Sequence, residues 1–184
     1  MAEKKKTLTE AQQKAAAFLT RAKPDFSGWR DARKAEDRLR AEEQAQEAVA
    51  RGEVGYQMPD GSIYAGISPD TNKHMYVTAK SASLSMNFNA AAVYAEGLDA
   101  HGHQDWRLPS RGELDVLSFN RDNGAFKETF NTAGMGHVGY FWSSSITTLI
   151  DKEGSAWARQ FVDGVIMGGG YDKSYTFSVR CVRS

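Results

Sequence analysis

Residues 105–114 read Asp-Trp-Arg-Leu-Pro-Ser-Arg-Gly-Glu-Leu, and this stretch fixes the start of a helix. Ser110 and Glu113 have the spacing of a capping box, in which each side chain satisfies a backbone donor at the other's position. Leu114 and Leu117 then give the helix an inner face. Upstream, Asn87 or Asn89 can cap a second helix, on which Phe88, Ala91, Ala95 and Leu98 share a face. Farther upstream, Pro59-Asp60-Gly61 is a turn between two short strand-like pieces, 55–58 and 62–65, and 74–78 is another strand candidate. Downstream lie glycine-bearing segments and three β-rich stretches, 139–143, 156–161 and 175–182. The last alternates, with Phe177, Val179 and Cys181 on one side and Ser178 and Arg180 on the other. Two helices followed by late strands and long loops make an α+β domain.

The composition changes near Gly52. Only two of the 17 glycines lie in residues 1–52, which read as helix, so the chain divides into a helical leader (1–52) and a mixed, loop-rich domain (53–184). Thr9 and Gln12 can cap a first helix carrying Leu8, Ala11, Ala15 and Phe18, broken at Pro24. A second helical run covers roughly 28–51, with Gly52 suited to its C-terminal cap. Its apolar stripe is thin, because Glu42 and Gln46 interrupt Ala32, Ala35, Leu39 and Val49. Two readings of the leader stand: a self-associating stalk that would make a homo-oligomer, or a solvated helix docked on its own domain or swinging free.

Charge narrows the partners. The 23 basic and 23 acidic residues cancel, so no global field draws the chain to nucleic acid or an anionic membrane. There is no apolar run long enough for a membrane span, and no apolar stretch behind the early lysines to make a secretory signal. A single cysteine excludes an internal disulfide. The expected location is cytoplasmic or phage-particle associated, with signal-less export also open.

Four segments carry a resemblance: DWRLPSRGEL (105–114), YFWSSS (140–145), AWARQFVDG (156–164) and SVRCVRS (178–184). They look like the carboxy-terminal domain of the Lcl-type collagen-like adhesins, over about residues 53–184 and not over the N-terminal helices. That family resembles the formylglycine-generating-enzyme type of C-type lectin fold. The resemblance implies a C-type-lectin-like domain of two helices, short twisted antiparallel strands and long loops. It implies core positions for Trp106, Trp142 and Trp157. It also implies structural roles for Arg107, Arg180 and Arg183, held by carboxylates such as Asp105 or Glu113 or by backbone carbonyls.

Proteins of this fold type include an oxidase, adhesin tips and the variable proteins of diversity-generating retroelements, which randomise exposed residues late in the chain. The corresponding positions here follow the YFWSSS and AWARQFVDG motifs: Ile146, Thr147, Thr148, Leu149, Ile150 and Asp151, then Val165, Ile166, Met167 and Tyr171. Arg159 and Lys173 are further polar candidates for the ligand-binding surface. All but Met167, among the apolar, threonine and tyrosine residues of this set, suit the usual asparagine-codon route of diversification.

Chemistry finds little support. The oxidase uses a cysteine pair, and this chain has one cysteine among alternating apolar residues, which reads as a buried small hydrophobe. His101, His103 and Asp105 form too short a pattern for a metal site. Ser143–Ser145 lacks a nucleophile elbow and reads as hydroxyls bonded to backbone. Gly168, Gly169 and Gly170 precede no helix start and read as a flexible or tightly turned loop, not a phosphate cradle. The tripeptides of calcium-dependent sugar sites are missing, although calcium held by loop carbonyls stays open. No cofactor is expected. The expectation is a non-enzymatic module that binds a protein ligand. The alternatives are a structural or assembly component, such as a phage-particle or oligomeric scaffold protein, and a divergent metal-dependent enzyme using the His101/His103 neighbourhood.

Overall fold

The computed structural model describes residues 10, 27–79, 84–127, 129–130, 139–147, 154–161 and 168–184. The chain divides into two units, 1–37 and 38–184. The proposed first helix, with Leu8, Thr9, Gln12 and Phe18, and the break at Pro24 lie outside the described residues. In the first unit Trp29 is exposed beneath the Arg33 guanidinium, 5.5 Å away.

Helix α1 (Ser27–Ala50) runs into the second unit. Its exposed length contrasts with Ala45 and Ala48, which are buried. Gly52 ends it at φ 70°: Glu53 N–H reaches Ala48 O and Gly52 N–H reaches Val49 O, both at 2.9 Å. This is the Schellman pattern that a glycine permits. The second unit therefore begins inside the helix, ahead of the composition change at Gly52.

The remaining elements are β1 (Ile63–Ile67), β2 (His74–Val77), β3 (Leu84–Met86), α2 (Phe88–Glu96), α3 (Arg111–Phe119), a 3-10 turn (Gly124–Phe126), β4 (Tyr140–Thr147), β5 (Ser155–Gln160), β6 (Gly168–Asp172), β7 (Phe177–Val179) and β8 (Val182–Arg183). They form a three-stranded sheet ordered β1-β2-β8 and a five-stranded sheet ordered β3-β7-β4-β5-β6. All described pairings are antiparallel except β4 with β7. The fold is α+β. No described helix is long and apolar enough to cross a membrane.

Alternation along the strands divides the core in two. Tyr140, Trp142, Ala156 and Ala158 face a cluster with Phe88, Ala91 and Ala95 of α2. Phe141 and Phe161 face a second cluster with Leu114 and Leu117 of α3 and with Ile63 and Met75 of the small sheet. Both helices start as the sequence implies. Asn87 Oδ1 accepts from Ala90 N–H at 2.9 Å, and the Ser110/Glu113 box is complete.

Three local readings change. The 55–58 piece is not a strand: Gln57 alone bridges to Ile63, because the turn closes tightly, with Asp60 Oδ1 accepting from the Ser62 N–H and hydroxyl. The 175–182 stretch is two strands in different sheets. β7 lies between β3 and β4, so Ser178 and Arg180 are buried with their apolar neighbours. Arg180 donates to Thr78 O at 2.7 Å and Thr129 O at 3.1 Å and lies over the Phe130 ring. Burial pulls its guanidinium down to about 10. Finally, Gly168–Gly170 is strand, not loop. A Cβ at Gly170 would collide with Thr147 Cγ2, and one at Gly168 would sit 3.0 Å from the Trp157 ring. These glycines let β6 pack beneath side chains of β5 and β4.

Candidate functional site

The quoted stretch is anchored by a buried carboxylate. Glu113 is fully buried and receives both Arg107 terminal nitrogens, at 2.6 and 2.7 Å. It also receives the Ser68 hydroxyl at 2.6 Å and Ser110 N–H at 2.9 Å. Burial acts to raise the Glu113 carboxyl. The bonds from Arg107, Ser68 and Ser110 outweigh it and hold the group below the ordinary glutamate value. The Glu113 bond in turn raises Arg107. Glu113, rather than Asp105, is the carboxylate that holds Arg107.

The YFWSSS strand is fastened to this segment. Ser144 N–H donates to Pro109 O at 2.8 Å, and Ser145 Oγ accepts from Arg111 N–H at 3.0 Å. Ser143 Oγ accepts from Ser145 N–H at 3.0 Å. The serine hydroxyls thus bond to backbone. Trp106 and Trp142 are core residues, with indole N–H groups donating to Ala100 O and Met86 O. Trp157 departs from the core expectation. It is half-buried, with the Arg111 guanidinium 3.9 Å from its ring centroid, and its Nε1 has no hydrogen-bond partner among the described residues.

The candidate ligand-binding residues fall in different places. Thr148, Leu149, Ile150, Asp151, Val165, Ile166 and Met167 lie outside the described residues. Ile146 is 55% exposed. Both it and Tyr171 pair with Ala156, from opposite sides of β5. Tyr171 is half-buried, packing edge-on against Tyr140 and Phe177 at 5.2 Å. Burial and a bond with the Tyr140 hydroxyl push its own hydroxyl up to about 12. Thr147 is half-buried on the same end of β4. Arg159 sits toward the other end of β5, opposite Phe141 and Gly168, and is ion-paired with Asp115 on α3. Lys173 lies 5.2 Å from the Phe88 ring centroid, at the other core cluster. Residues 148–153 join β4 to β5 and 162–167 join β5 to β6, so their described anchors are at opposite ends of β5. About 17 Å of strand separates them.

The histidine pattern is a turn clamp. The His101 ring bonds to Asp60 O at 3.0 Å through Nδ1, and its Nε2 accepts from Ala79 N–H at 3.2 Å. His103 Nε2 bonds to Asp60 Oδ2 at 3.0 Å. Asp105 takes no part in these bonds. Among the described residues no three His, Cys, Asp or Glu side chains converge as a metal site. A cleft of about 260 Å³ lies between α2 and the quoted stretch, with Phe88, Ala92, Glu96, Arg107 and Ser144 in its walls. Sequence reasoning missed this cleft and the Arg111–Trp157 stack. The one available signal was the alternation of Gly168 and Gly170, which marks a strand passing close beneath large side chains.

No curated protein matches the chain. A family model, the Lcl C-terminal domain, matches residues 3–183. That match takes in the helical leader, which the motif resemblance had left out. With almost the whole chain matched, the protein belongs to the Lcl C-terminal domain family.

Proposed function

We propose that the chain is a non-enzymatic display module, adhesin-like, that binds a protein partner on the β4–β5–β6 side of its larger sheet. The carrying observation is Ile146, an exposed apolar side chain in register with Tyr171 across the buried Ala156. Apolar and aromatic side chains held on a rigid sheet are the material of binding hot spots. Among the described residues, the groups singled out for chemistry are otherwise engaged. Cys181 is buried, its thiol pushed up to about 12, the Ser143–Ser145 hydroxyls bond to backbone, and His101 and His103 brace the Asp60 turn. The two helices and small sheets are consistent with a C-type-lectin-like scaffold. A diversified variable protein is a finer form of the same reading, supported by the position of residues 148–151 and 165–167 between scaffold strands. Recovery of an adjacent reverse transcriptase and a near-copy of the 3′ coding segment would test that form.

The binding reading itself is tested by pull-down of cell-surface proteins with full-length chain and with Ile146→Asp. A partner retained by the wild type and lost with Ile146→Asp, at unchanged melting temperature, is the expected outcome. Equal retention by both proteins, or none by either, would refute it.

A further inference from the structure

Strand β6 is an outer edge of the five-stranded sheet. Phe161 N–H donates to Gly139 O at 2.8 Å, so alternate residues of β5 back from Phe161 turn their backbone groups toward β4, and those between turn them toward β6. Ala158 with Gly169, and Ala156 with Tyr171, are then the hydrogen-bonded pairs. The N–H and C=O of Gly168 and Gly170 point away from the sheet. Among the described residues nothing pairs with them. Protein edges are commonly blunted by lysine, proline or a bulge, and these glycine positions carry none of these.

The face on which Gly168 and Gly170 lie has a charge of its own. The Trp157 indole crosses Gly168, and the exposed Arg111 stacks on the indole. No described carboxylate pairs with Arg111. Paired residues of neighbouring strands project to the same face. A strand added beside β6 would lie about 10 Å from β5. With no side chain at Gly168 or Gly170 to intervene, an Asp or Glu on that strand and the long Arg111 side chain can span the gap between them.

We infer that the outer edge of β6 takes up an extended acidic segment of the partner protein as an added strand, with a carboxylate of that segment docked on Arg111 beside Trp157. Backbone bonds to Gly168 and Gly170 supply attachment, and the carboxylate supplies selectivity. This inference rests on the protein-binding reading above and names the chemistry of the partner.

A displayed library of random nine-residue peptides, selected on the full-length protein, tests it. The selected peptides are synthesised and amide exchange is followed by NMR. The expected peptides carry acidic residues at alternate positions, and they slow exchange at Gly168 and Gly170, where Gly169 and Tyr171 are already slow. Arg111→Glu, at an exposed first-turn position where a carboxylate suits the helix, should melt as the wild type does and bind about tenfold more weakly. Arg111→Lys should retain most of the affinity. Peptides that bind with protection elsewhere, or without acidic preference, overturn the inference and leave the protein-binding reading intact. Protection of Gly168 and Gly170 that grows with protein concentration alone assigns the edge to a second copy and also overturns it. Recovery of no peptide at all, together with an empty pull-down, counts against both readings.

Discussion

Replacing Arg107 with alanine probes the reasoning behind the quoted stretch. The two partners are unequal: the Glu113 side chain is 0% exposed, the Arg107 side chain 40%. Removing the arginine strands a buried carboxylate. Removing the acid leaves a guanidinium that can turn to water. Breaking a buried pair from its solvated side costs about 3–5 kcal/mol, so Arg107→Ala should lower the melting temperature by about 6–20 °C for a chain of this size. Glu113→Gln should cost less. The pH dependence sharpens the test. In the wild type the Glu113 carboxyl is held below its unfolded value, so its contribution is complete above about pH 4.5 and is lost as pH falls through the folded value. Without Arg107 the folded carboxyl rises, and the variant loses less on acidification. Urea titrations of both proteins between pH 7 and pH 4 should therefore show the stability gap narrowing as pH falls. A gap that stays constant, or a Glu113→Gln more damaging than Arg107→Ala at pH 7, would refute the reasoning.

Gly170→Ala places a Cβ against Thr147 Cγ2 and should cost about 1–3 kcal/mol; thermal melts should show Thr147→Ser restoring much of it, and no loss at all would sink the packing account. Cys181, with its thiol pushed up to about 12 by burial, should resist alkylation at pH 8 until the domain unfolds. Labelling as fast as that of a free thiol would contradict its burial. A version starting at Arg38 should melt like the full chain, whereas one starting at Glu53 loses the buried Ala45 and Ala48 and should melt lower. Light scattering on the full chain and the Arg38 version measures whether the leader, with its exposed Trp29, drives association; equal masses would show that it does not.

The helices were legible because their signals are local. Ser110 and Glu113, or Asn87 and Ala90, lie three residues apart, and the geometry that satisfies them depends on little else. The sheet was legible as strands but not as a sheet. Phe177, Val179 and Cys181 alternate with Ser178 and Arg180, which reads as one strand with two unlike sides. The motif pointed to a structural Arg180 but not to its partners, Thr78 and Thr129, which come from distant parts of the chain. The glycines of β6 misled for the same reason. Alone they read as a loop, and only Trp157 on β5 and Thr147 on β4 explain why a strand there needs them.

The candidate site shows how far spacing along the chain can stand in for spacing in the sheet. Residues 146–151 and 165–171 look like one late recognition region because each follows a scaffold motif. Antiparallel connection sends their anchors to opposite ends of β5, while register returns Tyr171 to the end occupied by Ile146. A partner that reads Ile146 and Tyr171 together therefore reads the β4–β5–β6 register rather than a continuous segment, and Arg159, bound to Asp115, serves the scaffold more than the surface. Variation along β6 is then restricted by packing on one face, where Gly168 and Gly170 admit no larger residue without displacing Trp157 or Thr147. On the other face Gly169 meets the Tyr171 ring only at ordinary contact distance. Residues in β6 can change recognition without disturbing the sheet only where a Cβ has room, and in that strand Gly169 is the glycine that offers it.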